Sequence, residues 1–455
     1  MMKEQLYRIR RKLHQAAKAD PNYEAFGAKA HQYKLNAPLE PEALRRFEQI
    51  HGIILPEQYA AFLTEIGNGG AGPYYGIHPL GTKQSIDLDR VGLPSTLSPV
   101  SHTEIIEGGH SYDSYDLDSM GDEEYEAFIA ERVQGLLNIG EQGCSYETML
   151  VVTGAYRGKV VYLELDGYRS FFTYEANFLD WYERWLDETI AGYESSWFGL
   201  RRGGDDLELR QLYEAAEDEN VRVEALEGML KLRKITDETA AFLIEQLGSD
   251  SAEIERWVLQ VLAKTRFDLA EPFIRQKLNR KEAGERLLAL KFIKWYMPQG
   301  DRRFREELIA LLPKETDENA FRFITNLLKD AEMELLPIVL PFFTHPNQEF
   351  RIHAIYSAGD SKRKADYIQD FMNALEDPEP QVQHTALQAL NGLPDFRLLE
   401  SFERLLQQHK TNQYYIRSNI RGLLTAYPFT TMEEIQQLPS SLVQVKGMLR
   451  KIIGP

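Results

Sequence analysis

The chain has 455 residues, 43% hydrophobic and 27% charged, a composition of folded globular proteins that excludes intrinsic disorder and fibrous repeats. Fifty-two basic against seventy acidic side chains give a formal charge of −18, which opposes general attraction to nucleic acid or anionic lipid. The single cysteine, Cys144, permits neither an internal disulfide nor an all-cysteine metal cage, so a reducing, cytoplasmic compartment is expected.

Residues 1–37 carry eight basic and three acidic side chains and read as a basic helical extension, with Leu6, Ile9 and Leu13 at helical spacing up to a break near Pro21. The opening alternates charged and apolar residues, unlike a secretory signal. Residues 38–190 hold nine basic and twenty-six acidic side chains, so nearly all of the imbalance belongs to this segment. Helices are expected at 41–50, with Leu44, Phe47 and Ile50 aligned, and at 56–66, with Pro56 at the first position and Tyr59, Phe62, Leu63 and Ile66 on one face. A turn at Asn68, Gly69 and Gly70 follows. A strand is expected at 135–140. Apolar runs at 148–153, 159–165 and 169–174, divided at Arg157-Gly158 and Asp166-Gly167, predict a three-strand antiparallel meander, the Asp-Gly turn using positive φ at both positions. A helix at 177–190 closes the segment, with Asn177 as N-cap and Phe178, Trp181, Tyr182, Trp185 and Leu186 buried.

Those residues resemble a known family. Phe47-Glu48, Ile54 through Tyr59, Phe62-Leu63 and Asn68-Gly69-Gly70 are similar to the opening of the SUKH superfamily. Leu136 through Gly143, the run around Met149, Gly158-Lys159-Val160-Val161, and Phe178 through Leu186 follow in the same order. The resemblance covers 38–190, except that 78–134 matches no part of the pattern. It implies an α+β SUKH-like domain, an antiparallel sheet with helices, from a superfamily whose fungal members regulate cell-wall synthesis and whose bacterial members are immunity proteins of polymorphic toxin systems.

The Gly-rich stretch 191–206 reads as a linker. From 207 to 455 short amphipathic helices alternate with polar turns, and Arg222, Arg256, Arg286, Arg322, Arg351, Gln383 and Arg417 recur at intervals of 34, 30, 36, 29, 32 and 34. This resembles HEAT repeats, so an all-α HEAT-like solenoid of stacked hairpins is expected after the α+β domain. The column suits a stacking role, each guanidinium bridging carbonyls or carboxylates between repeats. A basic concave stripe that grips an acidic partner is the alternative. The longest apolar run, 335–343, is nine residues interrupted by Pro337 and Pro341, far short of the roughly 20 needed to span a bilayer.

No catalytic motif completes itself, so no enzyme, cofactor or metal site is expected. Gly154 through Lys159 has the wrong glycine spacing for a phosphate loop, and Val160 follows where Ser or Thr is required. His102-Thr103-Glu104 lacks the paired cysteines of a zinc deaminase. Asp116, Asp118 and Gly121 imitate a calcium loop, but Met120 and Ala127 stand at its fifth and twelfth positions. Cys144 with His102 or His110 would make a nucleophile pair, whereas a plain small residue in a turn is the simpler reading. His353 and His384 are explained by helix packing.

The candidate partner-binding residues are Asp113, Asp116, Asp118, Asp122, Glu123, Glu124 and Glu126, interleaved with Tyr112, Tyr115 and Tyr125. An acidic run is ordinarily a solvated face. Here it falls in the inserted segment of the most acidic domain, and the family implies immunity proteins, whose toxins are often nucleases with basic surfaces. The expected function is therefore a non-enzymatic protein-binding module that occludes a basic toxin, carboxylates steering encounter and aromatics prolonging residence. A cytosolic scaffold of the fungal regulator type and a HEAT-repeat nucleic-acid-processing protein are the alternatives.

Overall fold

The computed structural model describes residues 2–99 and 120–454. It is mostly helical with one four-stranded antiparallel sheet. Two compact units are present, residues 1–269 and 270–455.

The first unit opens with α1 (Met2–Ala19), followed by the single turn α2 (Ala28–His31) and α3 (Pro41–His51), stopped by Gly52 in the left-handed region. The next helix starts one residue later than its sequence suggests: Pro56 is its N-cap, and α4 (Glu57–Ala61) widens into a π-helical turn at Phe62–Ile66. That widening keeps Tyr59, Phe62, Leu63 and Ile66 all buried. Gly70, at φ +104, fits between two chain segments; a Cβ there would lie 2.5 Å from the Lys34 carbonyl oxygen. It bridges both Leu35 and Ile77, and Ile77 in turn bridges Gly140 on the sheet.

The insertion contributes α5 (Asp122–Val133). The sheet then runs β1 (Leu136–Gly143), β2 (Tyr146–Val151), β3 (Val160–Glu164) and β4 (Arg169–Phe172) in chain order. Instead of a lone strand before a three-strand meander, β1 joins β2 through a tight hairpin at Cys144 and Ser145, with register shifts after Asn138 and Glu141. The Asp166-Gly167 turn also departs from expectation. Neither residue has positive φ; Tyr168 does, at 52°. The cause is local: the buried Glu164 carboxylate accepts the backbone N–H groups of Asp166 and Gly167 and pairs with Arg169 at 2.6 Å, which fixes a longer connection.

Strand alternation gives the sheet two apolar faces. Leu137, Ile139, Leu150, Val160, Tyr162 and Phe171 face the large core built with α1, α4 and α6 (Phe178–Ala191). Leu136, Met149, Val151, Val161, Leu163 and Phe172 face a second, smaller core, closed by Ile86, Leu97, Ile129 and Val133 of the insertion. The described parts of 78–134 thus cover the outer face of the sheet. Asn177 caps α6 by accepting from the backbone N–H groups of Leu179 and Asp180.

The basic extension and the 191–206 stretch both pack against the first unit's core. The basic extension packs on α6, burying Leu6, Ile9 and Ala16, with Arg8 and Lys12 both on the Glu183 carboxylate at 2.8 Å. The 191–206 stretch is packed rather than free. Phe198 is 2% exposed, and its carbonyl accepts from the Tyr74 and Tyr162 hydroxyls.

Helix pairs follow. In the first unit α7 (Asp206–Ala215) packs on α8 (Glu219–Met229), and α9 (Asp237–Gln246) on α10 (Ala252–Thr265). After α11 (Phe267–Leu278), the second unit contains α12 (Ala283–Tyr296), α13 (Arg305–Leu311), α14 (Glu318–Asp330), α15 (Leu336–Val339), α16 (Gln348–Ala358), α17 (Ile368–Leu375), α18 (Pro380–Ala389), α19 (Leu398–Gln408) and α20 (Ile416–Leu424). In that unit α12, α14, α16, α18 and α20 each pack on the next. No helix is long and apolar enough to cross a membrane among the described residues.

Candidate functional site

Helix α5 is held to the outer face of the sheet by its last two turns. Ile129 and Val133 enter the smaller core, Phe128 meets Tyr168 edge to face at 6.5 Å, and the Arg132 guanidinium lies 3.7 Å above the Phe128 ring. Its first turn is exposed, with Tyr125 reaching back to Tyr168. Asp122, Glu123, Glu124, Tyr125 and Glu126 are all exposed, and none of the four carboxylates forms an ion pair among the described residues. Part of this acidity has a structural cause, because Asp122, Glu123 and Glu124 sit at the positive end of the helix dipole. Glu126, one turn on, gains little from that field. Five of the ten candidate residues are thereby brought onto one exposed helical end. Tyr112, Asp113, Tyr115, Asp116 and Asp118 lie outside the described residues, as do His102, His110 and most of the calcium-like loop.

Cys144 is exposed at the β1–β2 turn with φ 52°, a left-handed position that the hairpin requires. A cleft of about 760 Å³ lies between α3 and the β2–β3 turn, lined in part by Arg45, Glu48, Ile54, Thr153 and Arg157. Arg157 is committed to the fold, donating to the Ile54 and Leu55 carbonyls at 2.9 Å. Ile54 beside it is 75% exposed. Among the described residues no three His, Cys, Asp or Glu side chains converge as metal ligands would.

The repeat column resolves into two classes. Arg286 donates to the carbonyls of Arg280 and Lys281 in its own turn and forms a fork with Glu315 of the next, at 2.9 and 2.6 Å. Arg351 repeats the arrangement with His345, Pro346 and the Asp377 carboxylate. Gln383 donates to the Asp377 carbonyl and meets His409, while Arg222 and Arg417 each reach a carbonyl of the preceding turn. Arg286, Arg351 and Gln383 thus bridge to the following turn, as a stacking role requires, while Arg222 and Arg417 secure only the turn before them. Arg256 and Arg322 do neither: they pair within their own helices with Glu253 and Asn319. The difference is one residue of register. Arg222, Arg286, Arg351 and Gln383 are fourth in their helices, whereas Arg256 and Arg322 are fifth, a rotation of about 100° that turns the side chain outward. In α14 the fourth place belongs to Phe321, fully buried against Phe342 and Phe350. His384 contacts the Tyr414 carbonyl through Nδ1, a packing role.

A buried ionic cluster in the first unit carries no sequence motif. Arg184 on α6 pairs with Glu175 and Glu188 at 2.6 and 2.9 Å. Lys231, just beyond α8, is 2% exposed and reaches Glu188 and the Arg202 carbonyl. Arg202 pairs with Glu224 at 2.6 Å and stacks on Tyr174. Its one trace in 177–190 is Arg184 standing among Asp180, Glu183, Asp187 and Glu188.

No family model matches the chain, and no curated protein matches it. Among solved structures it is similar to "The structure of the complex of CpcE and CpcF of phycocyanin lyase from Nostoc sp. PCC7120", with 15% sequence identity and a TM-score of 0.29 over 55% of this chain and 96% of that chain.

Proposed function

We propose that this chain is a non-enzymatic recognition protein: a SUKH-like domain followed by HEAT-like helical repeats, acting as an immunity protein that occludes the basic surface of a toxin. The order of elements supports the family reading. Two proline-led helices, the glycine turn at 68–70, the antiparallel strands and the aromatic closing helix occur as the resemblance implies. Stacked helices joined by the Arg286 and Arg351 bridges support the repeat reading.

The observation that carries the binding mode is the exposed end of α5, where Asp122, Glu123, Glu124 and Glu126 stand unpaired among the described residues beside exposed Tyr125. Such a face attracts a cationic partner from a distance, and a tyrosine at its centre supplies contact area. The test is co-expression with the toxin encoded beside the gene: the wild type rescues growth. Replacing Asp118, Asp122, Glu123 and Glu124 by Asn or Gln should lower the association rate at least about tenfold while leaving dissociation nearly unchanged. Unchanged association, or turnover of a nucleotide, peptide or sugar by the purified chain, overturns the reading.

A further inference from the structure

The seam inside the first unit, where the sheet-bearing part meets α8, is built from charge. Lys231 reaches Glu188 across it, Arg202 of the connecting segment pairs with Glu224, and Arg201 lies near Glu227, while Arg184 holds Glu175 and Glu188 on the sheet side. The backbones approach closely: a Cβ on Gly228 would lie 3.1 Å from the Arg202 carbonyl oxygen. The connecting segment is tied on both sides, Glu194 N–H donating to the Lys231 carbonyl and Arg184 donating to the Arg201 carbonyl. Glu175 and Glu188 also leave one oxygen without a hydrogen bond, but each holds Arg184 with its other oxygen, whereas Glu227 forms no ion pair among the described residues. Glu227 is 4% exposed, and its Oε2 has no hydrogen-bond partner among the described residues. The groups around it are Arg201 from the connecting segment, Tyr174 from the end of the sheet, Glu224 on its own helix, and Arg256 and Glu253 from α10.

We propose that this seam is a proton-sensitive joint, tight while Glu227 is neutral and loosened when Glu227 ionises in place. A buried carboxyl with an unsatisfied oxygen tolerates burial as an acid far better than as an anion. Burial accordingly raises Glu227 from the carboxylate range to about 7, with Arg201 and Arg256 opposing and Glu224 and Glu253 reinforcing the shift. For an acid whose value is raised on folding, the stabilisation is complete below its unfolded value near 4.5 and is lost as pH rises through about 7. Lys231, itself buried, is lowered by burial to about 8. It therefore keeps most of its charge at the pH where Glu227 is half ionised. The joint is thus weakest just above neutrality, with both groups ionised.

The test is hydrogen exchange of the full chain at pH 5.5 and 7.5, corrected for intrinsic rates. Peptides covering 193–206 and 219–231 are compared with β3–β4 as an internal reference. The wild type should lose at least about tenfold protection in the two seam peptides at pH 7.5 relative to the reference, and Glu227→Gln should keep the pH 5.5 level at both values. Equal protection of the wild-type seam at the two pH values overturns the proposal without recourse to any variant. So does an undiminished pH response in Glu227→Gln. Glu214→Gln, an exposed change on α7, should behave as the wild type.

Discussion

The guanidinium groups of the repeat column show how little sequence separates a strut from a surface charge. Arg351 is buried with a two-pronged bond to Asp377, so Arg351→Ala strands a carboxylate and should cost about 3 kcal/mol in urea unfolding. Arg351→Lys recovers little, since an ammonium cannot span the carboxylate and the two turn carbonyls together. Arg322→Ala, one register step away, should change stability by less than about 0.5 kcal/mol. Gly199 is the opposite kind of site. At φ +78 its missing Cβ would fall 2.2 Å from the Tyr162 hydroxyl, so Gly199→Ala should destabilise by about 2 kcal/mol or more, read as a lowered denaturation midpoint.

At the level of elements, α1 is the case where charge complements apolar packing. Burial pushes the Glu183 carboxyl up, but hydrogen bonds from Arg8 and Lys12 outweigh it and hold the group down at about 2. For an acid lowered on folding, the stabilisation is present above its ordinary 4.5 and is lost as pH falls toward 2. Proteolysis or exchange in 2–19 should therefore rise across that window, and Glu183→Gln should show the same release at neutral pH. Most elements were legible because each carried a local signal: Asn177 as a cap, Gly52 as a stop, the aromatic stripe of α6. Two were not. The pairing of β1 with β2 depends on a non-Gly residue, Cys144, accepting a left-handed backbone, and the 165–168 turn depends on a carboxylate reaching back from Glu164. Neither tertiary demand leaves a mark on turn composition. Of the site, the sequence located the acidic end of α5 but not the sheet face that holds it out.

For the molecule as a whole, the formal charge of −18 makes any association with a cationic partner a long-range event. Its rate should fall at least about tenfold between 0.05 and 0.5 M salt, while dissociation stays nearly constant, as stopped-flow mixing would resolve. The reading of 191–206 as a linker left open whether the stretch is free or packed, because glycine content reports what a backbone can do, not whether aromatic groups cover it; Phe198 and its two tyrosine partners show it packed. The extension is helical as read, but a positive charge excess there is silent about the carboxylates on α6 that it meets. The column was read correctly in kind, though its uneven intervals hid the one-residue slips at Arg256 and Arg322. The two-pronged bonds of Arg286 and Arg351 reach 29 and 26 residues ahead, always from one hairpin's helix to the following hairpin's turn. Gain or loss of a module that carries both a column arginine and its turn carboxylate therefore preserves such bonds, whereas loss of a few residues between a donor and its acceptor leaves both without a mate.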